Sequence, residues 1–428
     1  MRTSALSNPV KFAMVFLVVN LHLLRNVSVS LYLALYLLVT AYVTIQYLSK
    51  RKSRFVVAEG LAFHLWVMAA LFAFATSLVL ISPIGAVEGL SRFLFAAPIY
   101  MAFVLYTDTF EDLRGHLITF AGFFAIASLS LPLQFLVGPI SWFASASERG
   151  GFERYASLVG SLTSIGIVVG SYIVLAQGLP KIRRLVFLPL ILLPALVSLN
   201  KSAIANVAIA LLVLAFLNRR SLSKLALAGI AVGCLLGAAY SVIPGVQERI
   251  SASLQSFGIQ AAGSAPTNYD MSFSGSAVDR IIALPKANFD SLSELGSPLV
   301  YLTGGGYGMG NTALVPESDA LAPMAHNQFA ELLTAFGPIA GGVQIGVLIA
   351  IGVALKRRHS RARQDVYLIV LLAYLVLMVN SIFANGTLYQ PASASIFYLA
   401  MFVAFSPKTL DQPPGITGMR PLTGSSAP

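Results

Sequence analysis

Apolar residues run through this chain in long blocks, and polar residues are confined to the gaps between them. Segments such as LAFHLWVMAALFAFATSLVLI (61–81) and LIVLLAYLVLMV (368–379) carry no Asp, Glu, Lys or Arg. A block of about 20 apolar residues is long enough to cross a bilayer as a helix. The weak alternating segments of about 10 residues that mark a membrane β-barrel are missing. The blocks predict twelve spans, at 12–24, 28–48, 56–81, 92–106, 117–137, 158–177, 185–199, 202–217, 225–243, 338–355, 366–383 and 391–405. The seventh and eighth are short and share a tight turn, which leaves room for a single re-entrant hairpin instead. The expectation is an all-α polytopic membrane protein of about twelve transmembrane helices. One transmembrane domain would fill 1–405, with a large hydrophilic loop, 244–325, inserted. The Pro- and Gly-containing tail, 406–428, reads as disordered.

Composition agrees with that pattern. Apolar residues make up 57% and charged residues 11% of the chain, against about 25% charge in an ordinary soluble domain. The first apolar block lacks a small-residue cleavage pattern and reads as a helix, not a signal peptide. The single cysteine, Cys234, excludes an intrachain disulfide and a cysteine metal site.

Charge then orients the chain. With the N-terminus inside, 20 of the 28 Lys and Arg residues fall on the inner side, while 11 of the 17 acids fall outside. This positive-inside bias predicts a multi-pass protein with both termini cytoplasmic. The net charge of +11 is therefore topological. It fits anionic inner-leaflet lipid and excludes nucleic acid as the reason for the basic balance.

Few cations remain on the outer face, so each can be weighed. Arg154 lies in ERGGFERYASLVGSLTSIG, ahead of a span; Lys201 lies in SLNKSAIA, where two apolar segments meet; Arg280 lies in VDRIIALPKA. In the last, Val278, Ile281, Ile282 and Leu284 would lay a short helix on the membrane surface. The plainer readings are a snorkelling lysine and arginines paired with Glu153 and Asp279. Of five histidines, His116 and His359 read as inner-loop residues, and His22 and His64 as packed in or near spans. His326 alone stands at an outer helix start, in AHNQFAELLTAFG. If a helix begins near 325, Asn327 and Glu331 share a face at i, i+4. A neutral imidazole there suits a general base; the plainer reading is a polar cluster satisfying backbone groups. The glycine-rich YLTGGGYGMGN (301–311) fails the spacing of a dinucleotide loop. It reads as a flexible turn that lets the loop approach the membrane, with lipid-phosphate contact through its amides as the alternative. No outer D-x-D, HExxH or GxSxG motif is present. A pyrophosphate handled on that face would have to be neutralised by side-chain cations, for which arginine's planar fork is suited.

Four stretches together resemble the bacterial O-antigen polymerase and O-antigen ligase superfamily, which includes exopolysaccharide polymerases. ERYASLVGSLTSIG is similar to its arginine stretch before a span. SLNKSAIA is similar to its S-R-[ST]-A turn, with Lys201 in place of the usual arginine. DRIIALPKANF followed by GGGYGMGN is similar to its loop arginine and glycine-rich stretch. AHNQFAELLTAFGPIAG is similar to its H-N-x-x-L-x-x-x-x-G-x-x-G signature. The resemblance implies a metal-independent, cofactor-free, inverting glycosyl transfer at the periplasmic face. The donor would be an undecaprenyl-pyrophosphate-linked oligosaccharide, and the acceptor a hydroxyl of another glycan or glycolipid. It implies His326 as base, Arg154, Arg280 and Lys201 on the pyrophosphate, and Asn327 and Glu331 in support. Membrane lipid, a chain-length regulator and a flippase are the partners it implies. A polymerase is the leading reading. A ligase acting on lipid A core stands beside it, and a secondary transporter or a structural assembly subunit represents other classes.

Overall fold

A computed structural model describes residues 6–54, 57–140, 147–149, 152–154, 157–160, 162–198, 201–217, 237, 279–309, 326–362, 364–384 and 386–406. Within them the chain is helical apart from one short hairpin. Four helical stretches are long and apolar enough to cross a membrane: Val29–Ser49, Gly60–Leu80, Pro83–Tyr106 and Gln328–Ala362. Five more apolar helices are shorter. This is a membrane-embedded helical protein. All of the expected span at 225–243 but residue 237, and most of the loop 244–325, lie outside the described residues.

The helices are α1 (Asn8–Asn20), α2 (Val29–Arg54), α3 (Val57–Leu80), α4 (Pro83–Phe93), α5 (Ala97–Tyr106), α6 (Phe110–Ser128) and α7 (Ser130–Val137). A hairpin of β1 (Ser147–Arg149) and β2 (Phe152–Arg154) follows, antiparallel with Ser147 opposite Arg154. Then come α8 (Leu162–Ala176), α9 (Lys181–Ser198), α10 (Lys201–Leu217), the short α11 (Leu284–Asp290) and α12 (Val300–Thr303), α13 (Gln328–Phe336), α14 (Gly342–Ala362), α15 (Asp365–Ser381) and α16 (Pro391–Phe405). The bundle is centred on α5, α8 and α16. Every residue of α16 from Ala392 to Val403 is buried, whereas α2 exposes Leu31, Leu33, Leu35, Leu37 and Leu38 on the bundle's outside. With lipid as the outer solvent, an exposed leucine there costs nothing, which is why apolar residues occupy both faces.

Local chemistry moves several predicted boundaries. Pro9 in the first turn starts α1 at Asn8, four residues ahead of the apolar block; proline suits that position because its missing N–H would have no partner. Ser82 caps α4 by accepting from the Gly85 amide at 2.9 Å, so the chain is helical from 83 and not only from 92. The capping box of Thr109 and Asp112 starts α6 at Phe110. His116, expected in a loop, is therefore fully buried in that helix, hydrogen-bonded to Thr107 Oγ1 at 3.0 Å and 4.0 Å from the Phe12 ring. His359 likewise stands in the last turn of α14, its Nδ1 3.3 Å from the Gln364 carbonyl. The two short predicted spans are the separate helices α9 and α10.

Candidate functional site

The helix start at Gln328 is built by its own sequence. Asn327 adopts an extended backbone (φ −143°, ψ 115°), and its Oδ1 accepts from the amides of Phe329 and Ala330 at 3.0 and 3.1 Å. That satisfies two of the four amides a helix start leaves without partners. Directly before it, His326 has φ +50°, the one positive φ outside glycine among the described residues. The left-handed region costs an L residue about 1–2 kcal/mol. Such strain persists only where the neighbours on the chain are firmly held.

They are held by a buried polar network. Gln328 and Glu331 are fully buried. Gln328 Nε2 donates to Glu331 Oε2 at 3.1 Å and to the Tyr389 hydroxyl. Its Oε1 accepts from Thr387 Oγ1 at 3.2 Å, and Thr387 Oγ1 lies 2.7 Å from Ser381 Oγ. The first turn of α13 is thus tied to the end of α15 and to the turn before α16. Neither Gln328 nor the 381–389 partners were foreseen from sequence.

Other predicted residues stand on elements whose ends face the same side. Asn206 of α10 donates to the carbonyls of Gly166 and Ile167 in the first turns of α8. Asn380, next to Ser381, donates to Asn206 Oδ1. The starts of α8, α10 and α13 and the end of α15 therefore lie at one end of the bundle. Arg154 closes β2 a few residues before α8, and Lys201 is the first residue of α10. Arg280 lies in the π turn Asp279–Ala283 that leads into α11, and α11 packs against α13. For these three cations the described structure extends to the backbone only. Asn327 and Glu331 are one turn apart at the start of α13, the Glu331 amide donating to the Asn327 carbonyl at 3.0 Å, and His326 directly precedes them. Of the other cations expected on the outer face, Arg92 is paired with Glu88 on α4.

The glycine-rich stretch is not a free turn. Residues 304–309 are buried. The amides of Gly305 and Gly306 donate to the carbonyls of Thr334 and Ala335, both at 2.9 Å. The Tyr307 amide donates to Ser77 Oγ at 2.8 Å, and its hydroxyl to the Ala70 carbonyl at 2.7 Å. Those amides are committed to protein, so they cannot cradle a phosphate in this arrangement. The reason lies in α13: Pro338 has no N–H to give Thr334, and Gly337 at φ +69° breaks the helix. The glycine loop supplies the two missing donors inside the bundle, where an unmet carbonyl costs several kcal/mol.

No family model and no curated protein matches this chain.

Proposed function

We propose that the protein is a polysaccharide polymerase of the inner membrane, acting at the periplasmic face. In this reading the chain crosses the membrane about twelve times with both termini cytoplasmic, and 244–325 is the periplasmic loop. The acceptor hydroxyl oxygen attacks the anomeric carbon of an undecaprenyl-pyrophosphate-linked glycan. The bond from that carbon to the pyrophosphate oxygen breaks, the configuration inverts, and undecaprenyl pyrophosphate leaves with the bonding pair. His326 takes the proton from the attacking hydroxyl and later gives it to water, a role that contributes typically 10²–10⁴ in rate. Arg154, Arg280 and Lys201 neutralise the charge that builds on the leaving pyrophosphate. Hydrogen bonds to charged groups of this kind are worth about 1.5–3 kcal/mol each. Lys201 contributes a point charge where a fork would bind two oxygens.

The observation that carries this reading is the strained histidine just before the cap of α13, a helix whose first turn holds a buried carboxylate network and against which α11, the helix that follows Arg280, packs. A helix end is where such chemistry belongs, because the donor's pyrophosphate floats at headgroup depth. The broken helix at 336–342 invites comparison with transporters, whose unwound carbonyls hold ions. Here the Thr334 and Ala335 carbonyls are already bonded to Gly305 and Gly306, which favours the enzyme.

The test is to offer the purified protein, in lipid nanodiscs, only a lipid-pyrophosphate-linked repeat unit. A ladder of products supports a polymerase, and its loss in a folded His326→Ala variant supports the base. Reaction only after a separate acceptor lipid is added moves the assignment to a ligase. No turnover with any lipid-linked glycan defeats the proposal.

A further inference from the structure

Gln328 holds a position the chemistry does not require and the packing alone does not explain. Its side-chain amide is fully buried at the first residue of α13. An amide of this kind can give two hydrogen bonds and accept two. Three of those four are made, to Glu331 on its own helix and to Thr387 and Tyr389 about sixty residues away in the chain. An unpaired buried amide is costly in an apolar bundle, so an apolar side chain would be the cheap choice if filling space were its purpose. Two residues earlier, His326 sits in a backbone region that it would leave if its neighbours could rotate. On one side Asn327 is fixed by two amides. Next to it Gln328 is fixed by a separate segment of the chain. The phenol that receives its hydrogen bond is itself clamped, its ring 5.1 Å from that of Phe93.

We infer that Gln328 is a positioning residue: by joining the 387–389 turn to the start of α13, it holds His326 in its left-handed conformation and so aims the imidazole. Gln328 acts through His326 and the turn; substrate contact is not part of its role. The assignment rests on the proposed glycosyl transfer for its functional meaning, but the aim of the ring is measurable without it.

The experiment compares wild type with Gln328→Met, which keeps length and apolar packing, and with Tyr389→Phe, which removes only the hydroxyl. Two quantities are read. One is the rate and pH midpoint of carbethoxylation at His326 by diethyl pyrocarbonate, resolved from the other histidines by peptide mass spectrometry. The other is turnover of a lipid-pyrophosphate-linked glycan at saturating donor. Both variants are expected to change the His326 rate severalfold, because a ring released from its orientation meets different hydrogen-bond partners. Turnover is expected to fall about a hundredfold, as for a reacting group displaced by about 1 Å, with KM for the donor nearly unchanged. The double variant is expected to be no worse than the worse single one, because both cut the same connection. Should Gln328→Met not fold, Tyr389→Phe and Thr387→Val test the same link from its other end. Folded variants whose His326 rate and midpoint match wild type overturn the inference, as does unchanged turnover. If wild type turns over no lipid-linked glycan, the proposed function falls, and the carbethoxylation comparison still decides whether Gln328 sets the ring.

Discussion

Replacing Gly304 by alanine tests whether the glycine loop really completes the broken helix. Gly304 has φ +76° and ψ 171°, a region that only glycine occupies freely; an alanine there is strained by about 1–3 kcal/mol. An added Cβ would lie 2.4 Å from both the Ala335 carbonyl oxygen and the Gly337 nitrogen. Both are backbone atoms, so the loop must back away by about 1 Å to reach ordinary van der Waals separation. That motion stretches the bonds from Gly305 to Thr334 and from Gly306 to Ala335, now 2.9 Å each, beyond useful length. Leaving a buried acceptor unmet costs about 1–3 kcal/mol. Strain and two lost bonds together reach about 3 kcal/mol at the low end, a large share of a typical stability of 5–15 kcal/mol. The control is Gly342→Ala, where an added Cβ meets nothing within 4 Å and a helical alanine gains about 0.5–1 kcal/mol. Thermal unfolding of the detergent-solubilised protein, followed by size exclusion, should rank Gly342→Ala at or above wild type and Gly304→Ala far below. Hydrogen exchange at amides 305 and 306 should rise in Gly304→Ala alone. Equal unfolding temperatures for wild type and Gly304→Ala would refute the pairing of loop and helix.

Two further substitutions probe the ends of the bundle. Arg358→Met removes bonds to the Val403 carbonyl (2.8 Å), the Ser406 carbonyl (2.9 Å) and Ser406 Oγ (2.6 Å), and a guanidinium 4.9 Å from the Tyr367 ring. It should cost about 3 kcal/mol and expose the chain after α16 to protease, with Arg358→Lys intermediate in both measurements. Asn327→Ala should cost about 1 kcal/mol of thermal stability through the lost cap, while Asn327→Asp, which still accepts from both amides, should stay near wild type; equal loss in the two would remove capping as the residue's role.

The long apolar blocks made the helices legible because the bilayer demands length and apolarity, and both are one-dimensional properties of a sequence. What a block count misses is a helix that carries polar residues for a reason outside the block. Gly85, Glu88, Gly89, Ser91 and Arg92 made α4 look like a loop, yet Gly89 is there because Tyr307 packs against it, at 2.6 Å from where a Cβ would lie. The tenth apolar block was expected to begin at 338 behind a helix start near 325; the helix does start at Gln328, and what the blocks did not reveal is the break at 337. His326, Asn327 and Glu331 were identifiable because they stand within six consecutive residues. Gln328 was not, because its meaning resides in Thr387 and Tyr389. The one available signal was the polar turn GTLYQP between two apolar blocks on the same side as His326.

That break explains how a histidine can be aimed at all at the end of a membrane helix. A continuous helix from 328 to 362 would inherit its direction from the lipid and from the packing of its lower half. Gly337 and Pro338 uncouple α13 from α14, so α13 takes its direction from what it touches locally. Those contacts include the glycine loop on its last carbonyls, α3 and α11 along its sides, and the 387–389 turn on its first residues. Tyr307 in turn pins the glycine loop to Ser77 and Ala70 of α3. A short helix held at both ends by hydrogen bonds has little freedom to rotate about its axis. A left-handed residue at its start can then be maintained by geometry fixed elsewhere. The polar groups that look expensive in an apolar bundle are the ones that define this orientation, since apolar contacts alone would permit α13 to slide or turn with little change in energy.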